Sequence, residues 1–398
     1  MRRCYGLTIR PNTIVGLRAI PVTVGTDREA MSFLFVRLET SDGVVGYGEA
    51  CDSFGCSYAP VLATLIDEVY APILIGQSIE HPAGLAGRLL AFTRRRLGDG
   101  WIAAHARSAV ELAAWDALGH ACGESVSQLI GQHRDRVEVY ASSGFLEEGP
   151  AAYHLETLAP LLDRGVQRVK VRVGPQWQSD LATLTALRAM LGDGIELMVD
   201  GSENYTLPTA LRIAAELADL GVSWFEEPLP QHASPGIARL CESSPVPIAY
   251  GEHLFGTAEA LAAMQRDGVQ VLQPDPATCG GLAEARAIAA LAAPFGVRVV
   301  PHMCAGPVAL AAALHLAATV PSIRLIEYPP VLTPVWRTFG GAALCPEAIV
   351  DGHLAVPTAP GLGVVFDEAA AREHPYQPPA ARVAGTVSGL PDRFCGDR

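Results

Sequence analysis

A chain of 398 residues, 49% of them apolar and only 18% charged, exceeds what one core usually holds, so two structural units are expected. A formal net charge of −13 argues against nucleic acid or an anionic membrane surface as partner, and an acidic ligand must then meet a metal ion or a local cluster of cations. Nine cysteines, an odd number without metal-site spacing, and an N-terminus with no apolar signal core point to reduced thiols and a cytoplasmic protein.

In chain order, Phe33–Thr40 and Val44–Glu49 alternate around Ser41-Asp42-Gly43 as a hairpin does. Helices are predicted at Val61–Leu74, Ala86–Arg96 and Ala103–Ala121, which makes residues 1–133 an α+β unit. From residue 134 short β-branched runs end in polar residues and give way to alanine- and leucine-rich helical stretches. The predicted strands are Val137–Ala141, Val166–Val171, Glu196–Val199, Ser223–Phe225, Pro247–Tyr250, Val269–Gln273, Val297–Val300 and Arg324–Ile326. Between them lie helices such as Asp180–Leu191, and Thr257 is expected to cap the helix after the fifth strand, with Glu259 in its first turn. Eight strands alternating with helices mean a parallel sheet closed into a barrel over 134–330. Met303–Ile323 carries no formal charge and is long enough to span a bilayer, but Pro307, His315 and its place in the series make it a buried barrel helix. Pro329-Pro330 and the run 357–363 mark irregular returns within 331–398, with a loose tail from about Pro375.

The strand ends carry the chemistry. The third, fourth and fifth strands end at Asp200, Glu226 and Glu252, each 26 residues from the next, which is one strand–helix unit. Three carboxylates side by side at one rim repel one another, and oxygen-only ligands of this kind suit Mg²⁺. Asp275, His302 and Glu327 follow the sixth, seventh and eighth strands. An aspartate beside a histidine fixes the imidazole tautomer and raises its basicity, the arrangement of a general base. On the second strand, Lys170 and Arg172 alternate and so share the inner face, and Lys170 is the only lysine in the chain.

Together these residues resemble the enolase superfamily and, within it, the mandelate racemase group. The resemblance includes Gly46-Tyr47-Gly48-Glu49-Ala50, Ala113-Ala114-Trp115-Asp116-Ala117-Leu118-Gly119, Lys170-Val171-Arg172, Phe225-Glu226-Glu227-Pro228, Gly251-Glu252-His253, Gln273-Pro274-Asp275, His302, Glu327 and Pro360-Gly361-Leu362-Gly363. It implies a modified TIM barrel, (β/α)7β, under an N-terminal α+β capping domain, in a homo-oligomer. Cap loops around Pro21–Arg28 and Asp52–Tyr58 would close over a small-molecule carboxylate. Asp200, Glu226 and Glu252 would hold Mg²⁺, His302 oriented by Asp275 would take the α-proton, and Lys170 would add positive charge beside the substrate carboxylate. Glu327, if protonated, would donate to the developing oxyanion.

Where the group's pattern has a second lysine this chain has Arg172, which gives up its proton poorly. Racemisation needs two groups on opposite faces of the carbon, whereas dehydration runs with one histidine. The expectation is therefore acid-sugar dehydration of an aldonate or aldarate to a 2-keto-3-deoxy acid. A racemase or epimerase of a hydroxy acid and a barrel that binds a carboxylate without turnover stand as alternatives. Arg28, Tyr205 and His253 are candidates for distal substrate contacts.

Overall fold

The computed structural model describes residues 2–4, 7–9, 12–25, 30–50 and 59–378. A short hairpin, β1 (Arg2–Cys4) and β2 (Leu7–Ile9), precedes an antiparallel sheet of β3 (Ile14–Val24), β4 (Met31–Thr40) and β5 (Val45–Ala50). The predicted hairpin is β4–β5. The long strand β3 was not anticipated, because its burial follows no clean period of two. The helix Trp101–Cys122 lies directly across β5: a Cβ at Gly46 or Gly48 would run into the backbone of Ala113 or Ala109. Glycine at alternate positions is what lets an alanine-rich helix approach the strand so closely.

The remaining sheet is parallel and curled. Its strands are β6 (Arg136–Phe145), β7 (Arg168–Arg172), β8 (Glu196–Asp200), β9 (Val222–Glu226), β10 (Ile248–Tyr250), β11 (Val271–Leu272), β12 (Arg298–Val299) and β13 (Leu325–Tyr328), each paired with its sequence neighbour from β6 to β12. The eighth, β13, pairs in parallel with β6, and Glu327 N donates to Pro301 O at 3.4 Å to link it to the end of the seventh. All eight predicted barrel strands are present. Each of the first seven is followed by a helix whose apolar side is buried before the chain enters the next parallel strand.

The uncharged segment forms the helix Pro307–Thr319, buried along its whole length, and no helix among the described residues is long and apolar enough to cross a membrane. The cap expected at Thr257 sits one residue earlier. Gly256 holds the position, and Thr257 N donates instead to Glu284 of the next helix at 2.7 Å. After β13 the chain is more regular than its proline content suggests. Helix Thr333–Gly340 sets Phe339 5.2 Å from Phe35 of β4, and a further strand, β14 (His353–Ala355), pairs antiparallel with β6. Leu362 N then donates to Asp116 at 2.7 Å, tying the 360–363 turn to the long helix. Pro375 still pairs with Val22, and the tail from 379 lies outside the described residues, as do Arg28 and the loop 51–58. Cys241, Cys279 and Cys345 carry free thiols.

Candidate active site

Parallel pairing brings the predicted carboxylates to one rim. Asp200 is the direct register partner of Glu226, and Glu252 follows two residues after the end of β10. Asp275, His302 and Glu327 complete the ring from the far side, and all six are buried. Lys170 rises from the interior to touch Glu226, with Nζ 2.8 Å from Glu327 Oε1 and 3.7 Å from Asp200 Oδ2. Arg172 donates through Nε to Asp200 at 3.1 Å and through Nη1 to Ser143 O at 2.9 Å. His302 stands between two acids, its Nδ1 2.9 Å from Asp275 and its Nε2 3.3 Å from Glu252.

Burial opposes every one of these charges, and the neighbours decide the outcome. For His302, burial lowers the pKa, but Glu252, Asp275 and Glu327 outweigh it and raise it to about 10. For Glu327, burial is outweighed by Lys170, His302 and Arg172, which hold it down to about 2. The other carboxylate oxygen of Glu327, Oε2, accepts from Met303 N at 3.1 Å. Glu252 goes the other way, pushed up to about 7 because burial exceeds the help of His302. Burial also raises Glu226, against the pull of Lys170. Five carboxylates thus share a rim with two permanent cations, and the site is short of positive charge.

A hard divalent cation is what such a donor set suits: buried oxygen ligands on adjacent strand ends with excess negative charge. The atoms that converge most tightly belong to another trio. Glu203, Glu227 and His253 each offer one ligand atom within 4.8 Å of the others. His253 Nδ1 lies 3.3 Å from Glu227, its Nε2 3.6 Å from Glu252, and its ring 5.0 Å from that of Trp101 in the cap. Three non-glycine residues there, Ser202, Glu203 and Glu227, have φ between 39° and 59°, backbone strain of the sort functional sites hold. In the inner trio, Asp200 turns to Arg172, Glu226 to Lys170 and Glu252 to His302.

Tyr205 is not aimed at a ligand. It is buried, and its hydroxyl donates to the main-chain oxygens of Val173 and Gly174 at 2.8 Å, so it braces the ends of neighbouring strands. Two residues without an assigned role hold Glu226: Trp224 Nε1 and Gln273 Nε2 both donate to its Oε2, at 3.1 and 2.6 Å. Trp224 could have been found, since it precedes Glu226 by two and so shares its inward face.

A capped parallel barrel with acids on successive strand ends defines a class of enzyme, and comparison with known proteins identifies the family. The model of the "mandelate racemase / muconate lactonizing enzyme, N-terminal domain" matches residues 8–131, and that of the "enolase C-terminal domain-like" family matches 155–370. The chain is 31% identical over 355 residues to the D-galactarolactone cycloisomerase of Agrobacterium fabrum, covering 87% of this chain and 92% of that one. It is 30% identical over 354 residues to the arabinonate dehydratase of Saccharolobus solfataricus, covering 88% and 92%. A mandelate racemase/muconate lactonizing protein from Paracoccus denitrificans, solved in complex with magnesium, superposes with a TM-score of 0.81 at 27% identity over 91% of this chain and 98% of that one. The chain belongs to the mandelate racemase/muconate lactonizing enzyme family of the enolase superfamily, and it is an enzyme.

Proposed function

We propose that this enzyme removes the α-proton of an acid sugar and expels the β-hydroxyl, giving a 2-keto-3-deoxy acid. The observation that carries the reading is His302, held through Nδ1 by Asp275 at 2.9 Å with Nε2 turned toward the carboxylate rim. The facing carboxylates of Glu252 and Asp275 favour the imidazolium; a cation held by Glu252 would offset that pull, and the imidazole, keeping its proton on Nδ1, would then offer Nε2 as base. Asp200, Glu226 and Glu252 fit Mg²⁺, which when bound would supply positive charge against the substrate carboxylate as the α-proton leaves. Lys170 and Arg172 add fixed positive charge from beneath and beside. The Cα–H pair becomes the Cα–Cβ double bond, the β-C–O bond breaks, and the protonated His302 gives its proton to the departing hydroxyl as water. The enol then tautomerises to the keto acid. Arg172, pushed above an already high pKa by Asp200, does not serve as a second acid, which disfavours racemisation.

A second reading is supported by the likeness to a cycloisomerase. A β-oxygen that belongs to a ring stays on the product, and the same proton abstraction then yields an isomer.

The test is an NMR and mass-spectrometric screen in D₂O with Mg²⁺ against aldonates, aldarates, their lactones and simple α-hydroxy acids. Loss of 18 mass units with a new 2-keto-3-deoxy signal supports dehydration, and a ring-opened product of unchanged formula supports the isomerase. Deuterium at Cα with the hydroxyl kept moves the assignment to racemase or epimerase. His302→Asn is expected to lower turnover by about 10²–10⁴-fold while Mg²⁺ binding persists. Full activity in that variant removes His302 as the base.

A further inference from the structure

Three consecutive barrel helices begin at a glycine. Gly256, Gly281 and Gly306 hold the N-cap positions of helices Thr257–Gln265, Leu282–Ala292 and Pro307–Thr319. Glycine has no side chain to accept the free N–H groups of a first turn. Carboxylates from other elements do so. Glu284 serves the first of the three. The other two are served by the cap: Glu111 of helix Trp101–Cys122 accepts from Leu282 N at 2.8 Å and Ala283 N at 3.1 Å. Glu49 of β5 accepts from Gly306 N, from Val308 N at 3.1 Å and from Ala309 N at 3.0 Å.

The placement is selective. The helices closed by the cap are those that follow Asp275 and His302. Gly281 lies six residues beyond Asp275 and Gly306 four beyond His302. The short segment after His302 is fixed along its length: Met303 N donates to Glu327 at 3.1 Å, Trp336 Nε1 to Ala305 O at 3.0 Å, and Gly306 N to Glu49. A Cβ at Gly306 would collide with Glu49 Oε1, yet the φ of Gly306 is −79°, ordinary for any residue. Glycine is needed there for the carboxylate's approach and not for its backbone. Glu49 is wholly buried and near enough to Asp275 to feel its charge.

We propose that Glu49, with Glu111 in support, is a positioning residue for proton abstraction: the cap sets the placement of His302 against Asp275 by gripping the helix that follows it. The inference rests on the reading of His302 as the base. It gives the cap a part in the chemistry besides covering the substrate, because a carboxylate shifted by an ångström at Gly306 moves the loop that carries the imidazole.

The test uses the full-length enzyme with Mg²⁺ and the substrate from the screen. Glu49→Gln keeps the size but sets an NH₂ against the amides, and Gly306→Ala drives the carboxylate off from the other side. Each is expected to lower kcat about 10–100-fold with KM within about threefold, and to leave Mg²⁺ affinity by calorimetry unchanged. The double variant Glu49→Ala/Gly306→Ala makes room for the methyl and is expected to lose no more than Glu49→Ala alone. A second readout needs no turnover: in ¹⁵N-histidine-labelled protein, the Nδ1–H resonance assigned to His302 by its absence in His302→Asn is expected to shift in both single variants. Should Glu49→Gln not fold, Gly306→Ala carries both measurements. An unchanged kcat, or a His302 resonance that stays in place, overturns the proposal. A wild-type enzyme that turns nothing over counts against the functional reading instead, and the resonance still decides this one.

Discussion

Two layers of side chains fill the barrel one pleat apart, and they obey opposite rules. The lower layer, Tyr140, Met198, Trp224, Ala249, Val271, Val300 and Leu325, forms an apolar cluster of its own. Two residues further along four of those strands stand Asp200, Glu226, His302 and Glu327, on the same face because side chains alternate. The lower layer holds by close packing, which needs no partner of particular charge. In the upper layer burial works against nearly every group, so each depends on which charge faces it. Lys170 joins the two. Its register partner is Met198, so its backbone belongs below, and its apolar stem lifts the ammonium to Glu226 and Glu327. Arg172, in register with Asp200, belongs above, with 22% of its side chain exposed against none of Lys170's. The chain's single lysine therefore occupies a place that a planar guanidinium could not enter without being desolvated inside the apolar layer.

The largest expected effect tests that junction. Lys170→Met keeps the stem and removes only the charge, leaving Glu226 and Glu327 buried without their cation. Stability in urea is expected to fall by about 3–5 kcal/mol when measured without added metal, since breaking a buried pair strands the other charge. Added Mg²⁺ should recover part of the loss by binding the folded state. An unchanged midpoint would mean that the upper layer does not draw its compensation from below.

The next prediction sharpens where the upper layer ends. If the inner carboxylates hold the metal, Asp200→Asn and Glu252→Gln each weaken Mg²⁺ binding by about 100-fold or more, near 2.7 kcal/mol. Glu203→Gln and Glu227→Gln then change it by less than about threefold. The opposite result in a calorimetric titration would put the metal at Glu203, Glu227 and His253, one step further out from the apolar layer.

The barrel and its rim were legible in the sequence because both are written in short periods. A β-branched run ending in an acid, repeated every 26 residues at Asp200, Glu226 and Glu252, gives strand, register and rim at once. What stayed hidden depends on contacts between distant elements. Gly306 shows no cap because its cap, Glu49, lies 257 residues away in sequence. Thr257 resembled a cap because a threonine before a helical run usually is one, yet Glu284 takes that part from the next helix. The hydroxyl of Tyr205 pointed to a ligand in sequence terms and is spent on two carbonyls in the fold. The strand β3 and the helix after β13 were missed because their burial comes from packing against other units, with little periodicity of their own.

Glu49 and Glu327 offer the finest form of the comparison, since both are wholly buried and their pKa values move in opposite directions. Glu327 faces Lys170 and is held down to about 2, so its contribution to stability is present above the ordinary value of 4.5 and lost as pH falls through about 2. Among the described residues Glu49 meets no cation: it accepts from backbone amides and feels the like charge of Asp275. Burial pushes it up to about 8 against the pull of the amides, so the folded state binds its proton more tightly than the unfolded chain does. Its contribution is complete below 4.5 and is lost as pH rises through about 8. Glu49→Gln does not titrate there. The stability of wild type relative to that variant, read from urea unfolding, is expected to fall by about 1.4 kcal/mol between about pH 7 and pH 9. A difference that stays flat would mean that three amides and the positive end of a helix keep the carboxylate ionised throughout, and that a backbone without any cation can do for Glu49 what Lys170 does for Glu327.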